Sequence, residues 1–189
     1  MEGYMESLPS TGYLGADVYP YFKHHNTFAF LTDVVSATGQ PTAQAANIVS
    51  FSQLATDRAA NAMPSFGFIV PNALNDAHDC PNNAATCPDT DKLTAADNWL
   101  RSNIDPLITS PAFANSVLII TFDEGQLTDL TNIGGQVATV IVGTHVKSGF
   151  RSTTMYQHQS TLRLVLDLLR VGDRPGLSST ASSMNEFFL

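Results

Sequence analysis

The stretch Val117-Leu118-Ile119-Ile120-Thr121-Phe122-Asp123-Glu124-Gly125 decides the fold. Its apolar and β-branched residues run without alternation, the pattern of a buried strand covered on both faces. The run breaks at once into two carboxylates and a glycine. Consecutive strand side chains point to opposite faces, and Gly125 allows a turn that brings both acids to one place. In an open α/β sheet, ligands bind beyond the carboxyl ends of the strands. Two hard oxygen donors there suit a divalent cation. The plainer alternative is that Asp123 and Glu124 open a solvated loop.

Working outward, three more short runs read as strands: Asn47–Phe51, Phe66–Val70 and Val137–Val142. Between the second of these and Val117 lies a helical pattern. Thr94 is placed as N-cap with Asp97 at N3, and Trp99, Leu100, Ile104, Leu107 and Ile108 recur at helical spacing. Pro106 inside that pattern predicts a kink or an end. A second helix is expected from Ser160 as N-cap through Thr161 to Arg170, stopped by Gly172, with Leu162, Val165, Leu166 and Leu169 facing the core. A further amphipathic piece is expected around His25 to Val35. Strand–helix–strand alternation means α/β: a mostly parallel sheet flanked by helices. The 189 residues are enough for a single domain spanning 1–189. Residues 71–92 and 124–136 read as long polar loops, and 172–183 as a Gly/Ser/Thr-rich tail.

Hydrophobic residues make up 43% and charged residues 14%, which excludes a disordered or coiled-coil chain. Apolar runs fall well short of the roughly 20 residues that span a bilayer, so no transmembrane segment is expected. A net charge of −8 with nine Lys and Arg residues argues against nucleic acid as a partner. The only cysteines lie close together in Cys80-Pro81-Asn82-Asn83-Ala84-Ala85-Thr86-Cys87. That Pro/Asn-rich loop can close as a disulfide, with two free thiols as the alternative. A Cys80–Cys87 disulfide implies an oxidising compartment, and we expect a periplasmic or secreted protein whose signal peptide is not in this chain.

Polar residues gather at three further places. The run ending at Val70 leads into Pro71-Asn72-Ala73-Leu74-Asn75-Asp76-Ala77-His78-Asp79, which is either a site loop or an Asx-turn with a surface histidine. Lys23-His24-His25-Asn26 is either functional or a polar helix start. His158, after Tyr156 and Gln157, either serves a site or helps to cap a helix.

As an ordered set these motifs resemble a family of bacterial phosphoesterases related to acid phosphatases and phosphatidylcholine phospholipases C, within the alkaline-phosphatase-like superfamily. Tyr4-Met5-Glu6-Ser7-Leu8-Pro9 resembles the entry to that family's second half. His24-His25-Asn26-Thr27-Phe28 resembles its Lys-His-Asn-Pro-Phe element, and Pro71-Asn72 through Asp76-Ala77-His78-Asp79 its Pro-Asn…Asp-x-His-Asp element. Thr121-Phe122-Asp123-Glu124 is similar to its Thr-Phe-Asp-Glu metal motif. Gly134-Gly135-Gln136-Val137 and Tyr156-Gln157-His158-Gln159-Ser160 resemble its later glycine turn and helix start.

The resemblance implies metal-assisted hydrolysis of a small-molecule or lipid phosphoester, of acid phosphatase or phospholipase C type. Asp123 and Glu124 would be metal ligands for a divalent cation of unknown identity. His25, His78 and His158 would be the catalytic histidines, and Asn26 and Asp76 would contact substrate. An acidic protein needs such local neutralisation to handle an anionic phosphate. Thr27 departs from the family's proline. The family's Glu-Asn metal motif and Ser or Thr nucleophile lie in a preceding half, and nothing before Tyr4 matches them. The expectation is therefore an alkaline-phosphatase-like fold with its N-terminal part missing, weak or no activity for this chain alone, and an exposed strand edge that invites a homodimer. The alternatives are a non-catalytic metal- or phosphate-binding remnant, and a sulfatase- or mutase-like member of the same superfamily.

Overall fold

Strand β1 (Glu2–Met5) runs up the middle of a three-stranded parallel sheet, between β2 (Ile48–Ser50) and β3 (Gly67–Val70). Tyr4 lies opposite Val49 on one side and Ile69 on the other. The sheet is seen in a computed structural model that describes residues 1–125 and 135–189. Tyr4, Met5 and Ile48 are fully buried, as central parallel strands require. Gly3 permits a close approach: a Cβ there would come within 2.5 Å of the Phe28 ring. Met5, Phe28, Ile48, Tyr21 and Val34 form the core of this unit, which covers Met1–Ala112.

Helix α1 (Gln53–Ala59) follows β2, and α2 (Asp89–Asn103) comes after the loop beyond β3. The helix expected to start at Thr94 starts five residues earlier, after Pro88, with Asp89 and Asp91 in the first turn where the helix dipole favours acids. Thr94 is internal and donates its hydroxyl to the Thr90 carbonyl at 2.6 Å. Trp99 is the buried contact, 4.9 Å from the Phe51 ring. The chain breaks at Ile104 and resumes as α3 (Asp105–Ile108), so Pro106 ends the longer helix as expected. No α-helix forms from His25 to Val35. Two 3₁₀ turns, Lys23–His25 and Thr27–Phe30, take its place.

The second unit, Phe113–Leu189, holds β4 (Val117–Thr121) and β5 (Thr139–Gly143). They pair antiparallel, with Ile119 opposite Ile141, where parallel pairing was expected. Both strands are also only partly buried, and antiparallel pairs tolerate one wet face. Helix α4 (His158–Leu168) begins two residues before the expected cap. Its buried residues are Ser160 and Leu164, while the expected core positions Leu162 and Leu169 are exposed. Arg170, at φ 57°, ends the helix by going left-handed two residues before Gly172. The tail is tied down: Phe187 packs edge-on against Phe150 at 5.3 Å, and Leu189 N–H donates to the His145 carbonyl at 2.9 Å. Gly134 of the expected glycine turn, and most of the 124–136 loop, lie outside the described residues.

Candidate functional site

The loop after β3 is held at its start by one carboxylate. Glu6, the first residue beyond β1, accepts the Asn72 backbone N–H at 2.9 Å and the Asn75 side-chain amide at 3.0 and 3.1 Å. Asn72, 8% exposed, donates its amide to the Ser7 hydroxyl at 2.9 Å and accepts the Leu74 N–H at 3.0 Å. These bonds satisfy backbone that leaves the sheet without a ladder partner. They also fix where Asp76 stands.

Asp76 Oδ1 accepts the His78 backbone N–H at 2.9 Å, an Asx-turn with Ala77 at φ 70° in its middle. Its other oxygen, Oδ2, lies 3.3 Å from His25 Nδ1, with both side chains about four-fifths buried. The turn and the site reading of this loop are thus compatible, because one carboxylate does both. His78 Nδ1 in turn meets Asp79 Oδ1 at 2.8 Å, and His24 Nδ1 sits 3.8 Å from Asp17. Asp17 is anchored by accepting the Lys23 N–H at 2.7 Å. Three imidazoles therefore stand side by side, each with a carboxylate at Nδ1. The His24 and His25 rings are 4.5 Å apart, and those of His25 and His78 6.4 Å. At His78, where the carboxylate is within hydrogen-bond distance, it orients the ring and favours the tautomer with its proton on Nδ1.

Asn26, next to His25 in the chain, is fully buried. Its amide donates to the Tyr21 hydroxyl at 3.1 Å, and Oδ1 has no hydrogen-bond partner among the described residues. Burial pushes the Tyr21 hydroxyl up, with the Asn26 donation pulling the other way.

In the second unit, the Asp123 carboxylate accepts the Glu124 N–H at 3.0 Å, and both side chains are exposed at the end of β4. His158, the first residue of α4, makes no capping bond. Its Nε2 instead donates to the Asp123 backbone carbonyl at 2.6 Å. That bond joins the strand end to the helix start and requires the proton on Nε2. A cleft of about 420 Å³ beside the same helix start is lined by Met155, Gln157, Ser160, Leu177 and Thr180 among others, with no titratable group among the described residues of its lining.

Asp123 and Glu124 have the oxygen chemistry a hard cation wants, but number two where four to eight ligands are usual. Among the described residues, no group of three or more His, Cys, Asp or Glu is placed to hold a metal. The donors in hand do not by themselves make a metal site. The cysteines are joined, Cys80 to Cys87, closing the loop that follows Asp79.

Two contributors were not foreseen from sequence. Glu6 was quoted only within a motif, because β1 is too short and Gly-containing to announce itself as a strand with a functional end. Asp17 gave no signal at all, since its link to His24 depends on a fold of the intervening turn.

Comparison with known proteins bears out the family resemblance. The profile of the family described as "Phosphoesterase family" matches residues 2–172. The chain is 31% identical over 173 residues to an "Acid phosphatase" of Aspergillus fumigatus, covering 86% of this chain and 35% of that protein. It is 29% identical over 167 residues to a "Phosphate-repressible acid phosphatase" of Penicillium chrysogenum, covering 83% and 36%. Against a "Phosphatidylinositol-3-phosphatase" of Mycobacterium tuberculosis it is 26% identical over 172 residues, covering 90% and 50%. The chain thus spans between about a third and a half of these relatives' length. With the family profile matching nearly its whole length, this chain belongs to the phosphoesterase family.

Proposed function

We propose that this chain serves a hydrolase of phosphoric ester bonds, with His25 and His78 meeting the phosphoryl group and the leaving oxygen. The single observation behind this reading is the row of imidazoles backed by Asp17, Asp76 and Asp79. In its imidazolium form such a ring donates Nε2–H to a phosphoryl oxygen and can protonate the departing oxygen as a general acid. Asp76 keeps the His25 ring and the His78 backbone in register, so charge developing in the transition state meets donors already in place. The names of the relatives, two acid phosphatases and a phosphatidylinositol-3-phosphatase, favour a phosphatase over a phospholipase C type.

Asp123 and Glu124 are proposed as two of the oxygen ligands of a divalent cation, whose chemistry when bound would be to neutralise phosphate charge. The His158 bond supports this by fixing the backbone from which they project. Secretion or periplasmic location fits the Cys80–Cys87 bond. A homodimer through an edge of the β2-β1-β3 sheet belongs to the same proposal.

Inorganic phosphate titrated into the chain and followed by ³¹P NMR tests the first part. His25→Ala and His78→Ala should each weaken binding at least about tenfold, the worth of a charge-assisted hydrogen bond. Unchanged affinity in both would refute the phosphoryl reading. Calorimetric titration of Mg²⁺, Mn²⁺ and Zn²⁺ tests the second, with Asp123→Ala expected to weaken binding by a similar factor. Wild-type affinity in that variant would remove Asp123 from the ligand set.

A further inference from the structure

The row of imidazoles continues into two more rings, the half-buried Phe22 and the exposed Tyr19. Phe22 stacks on His24, centroids 5.1 Å apart and planes inclined by 21°, and meets His25 edge-on at 5.5 Å. Tyr19 meets Phe22 edge-on at 5.9 Å. Tyr19–Phe22–His24–His25–His78 is therefore an unbroken series, each step within the roughly 4.5–7 Å range of favourable aromatic contact.

A purely structural cluster of rings would be buried, as Tyr21 and Phe28 are. Here Tyr19 is 50% exposed and the His24 side chain 61%. The series starts on solvent-facing carbon and runs past the His25–Asp76 pair to His78. With a phosphoryl group at His25, the neighbouring ring on the solvent side is His24, 4.5 Å away, with Phe22 stacked on it. Flat rings with exposed edges and faces recognise another flat ring. Aliphatic groups gain only from area, and here much of that area stays wet.

We propose that Tyr19, Phe22 and His24 form a leaving-group subsite that takes the aromatic ring of an aryl phosphoester whose phosphoryl group meets His25 and His78. This rests on the phosphoryl reading of those two histidines.

Three non-hydrolysable probes, methylphosphonate, cyclohexylphosphonate and phenylphosphonate, separate the contributions, because none has a leaving group whose acidity could bias the result. Dissociation constants for the whole chain by NMR titration should fall about tenfold from methyl to phenyl, with cyclohexyl between them. Tyr19→Leu and Phe22→Leu should each bring the phenyl-to-cyclohexyl ratio towards one, a ratio that a merely structural role would not move. His25→Ala should weaken all three probes together. If cyclohexyl binds as tightly as phenyl, the face is only apolar and the proposal fails. A phenyl probe no tighter than methyl overturns it too, as does a ratio untouched in both leucine variants. If no probe binds, both this proposal and the phosphoryl reading fall. A phenyl preference that survives while His25→Ala changes nothing keeps the aromatic subsite and removes the histidine from phosphoryl binding.

Discussion

Asp76 Oδ2 stands 3.3 Å from His25 Nδ1 while Oδ1 of the same carboxylate accepts the His78 N–H. The pair, with both side chains about four-fifths buried, is enclosed enough to hold its geometry. Asp76→Asn keeps both the turn acceptor and the size of the side chain but removes the charge. We expect inorganic phosphate affinity to drop about tenfold while the urea midpoint moves by no more than a partly exposed ion pair is worth, about 1 kcal/mol. Parallel ³¹P titrations and unfolding curves check this, and a large stability loss with intact binding would contradict it.

Glu6 presents the opposite balance. Its removal in Glu6→Ala leaves the Asn72 N–H and the Asn75 amide without their acceptor. The expected cost is about 1–3 kcal/mol, the penalty for leaving partly buried donors unpaired. Urea unfolding gives that number, and proton exchange at the Asn72 amide should accelerate alongside.

Tyr4 ties stability to alkaline pH. Burial first, then its bond to Asp57 at 2.7 Å and the nearby carboxylate charges, hold its hydroxyl well above the usual tyrosine range. The folded chain keeps that proton after the unfolded chain has begun to lose it, near pH 10. The contribution is therefore complete below about pH 10 and lost as pH rises beyond it. Unfolding midpoints between pH 8 and 11 should fall more steeply for the wild type than for Tyr4→Phe.

Glu186 does the reverse at the acid end. Hydrogen bonds from Ser152 and then Tyr156 hold its carboxyl below the usual range. Its stabilisation is present above the unfolded value, near pH 4.3, and disappears as pH drops through the lower folded one. Glu186→Gln should flatten the loss of stability of the wild type between pH 6 and 3, as read by thermal melts.

The Cys80–Cys87 bond closes a loop with a sequence separation of 7. Chain-entropy arguments give about 2 kcal/mol for so short a ring. A Cys80→Ser/Cys87→Ser double variant should lose about that much, and reduction of the wild type should reproduce the loss.

Sequence alone carried the class of fold, since the runs at Ile48–Ser50, Gly67–Val70 and Val117–Thr121 are strands where apolar β-branched residues crowd. Direction of pairing was not legible: an apolar run says nothing about its partner, and β4 and β5 proved antiparallel. Helix starts were misplaced for a physical reason. Thr94 and Ser160 have capping chemistry, but Asp89 with Pro88, and Gln157 with His158, took those ends first. His25, Asp76 and His78 were found as residues, while their pairing needed the fold. Asp17, Tyr19 and Phe22 were invisible because nothing in their spacing distinguishes a surface ring or acid from one aimed at a neighbour.

The Glu6 clamp has a consequence for how this lineage can vary. Asn72 and Asn75 are both held by one carboxylate whose own position is set by the central strand, so the segment between β3 and Asp76 has a fixed length. An inserted residue there would separate the asparagines from their acceptor and carry Asp76 away from His25. Past Asp79 the Cys80–Cys87 bond closes the loop, and exposed positions such as Ala84 and Ala85 lie on its outside, where extra residues are tolerated. Diversification of this loop among related chains should be confined to its far side, with the near side kept at constant spacing.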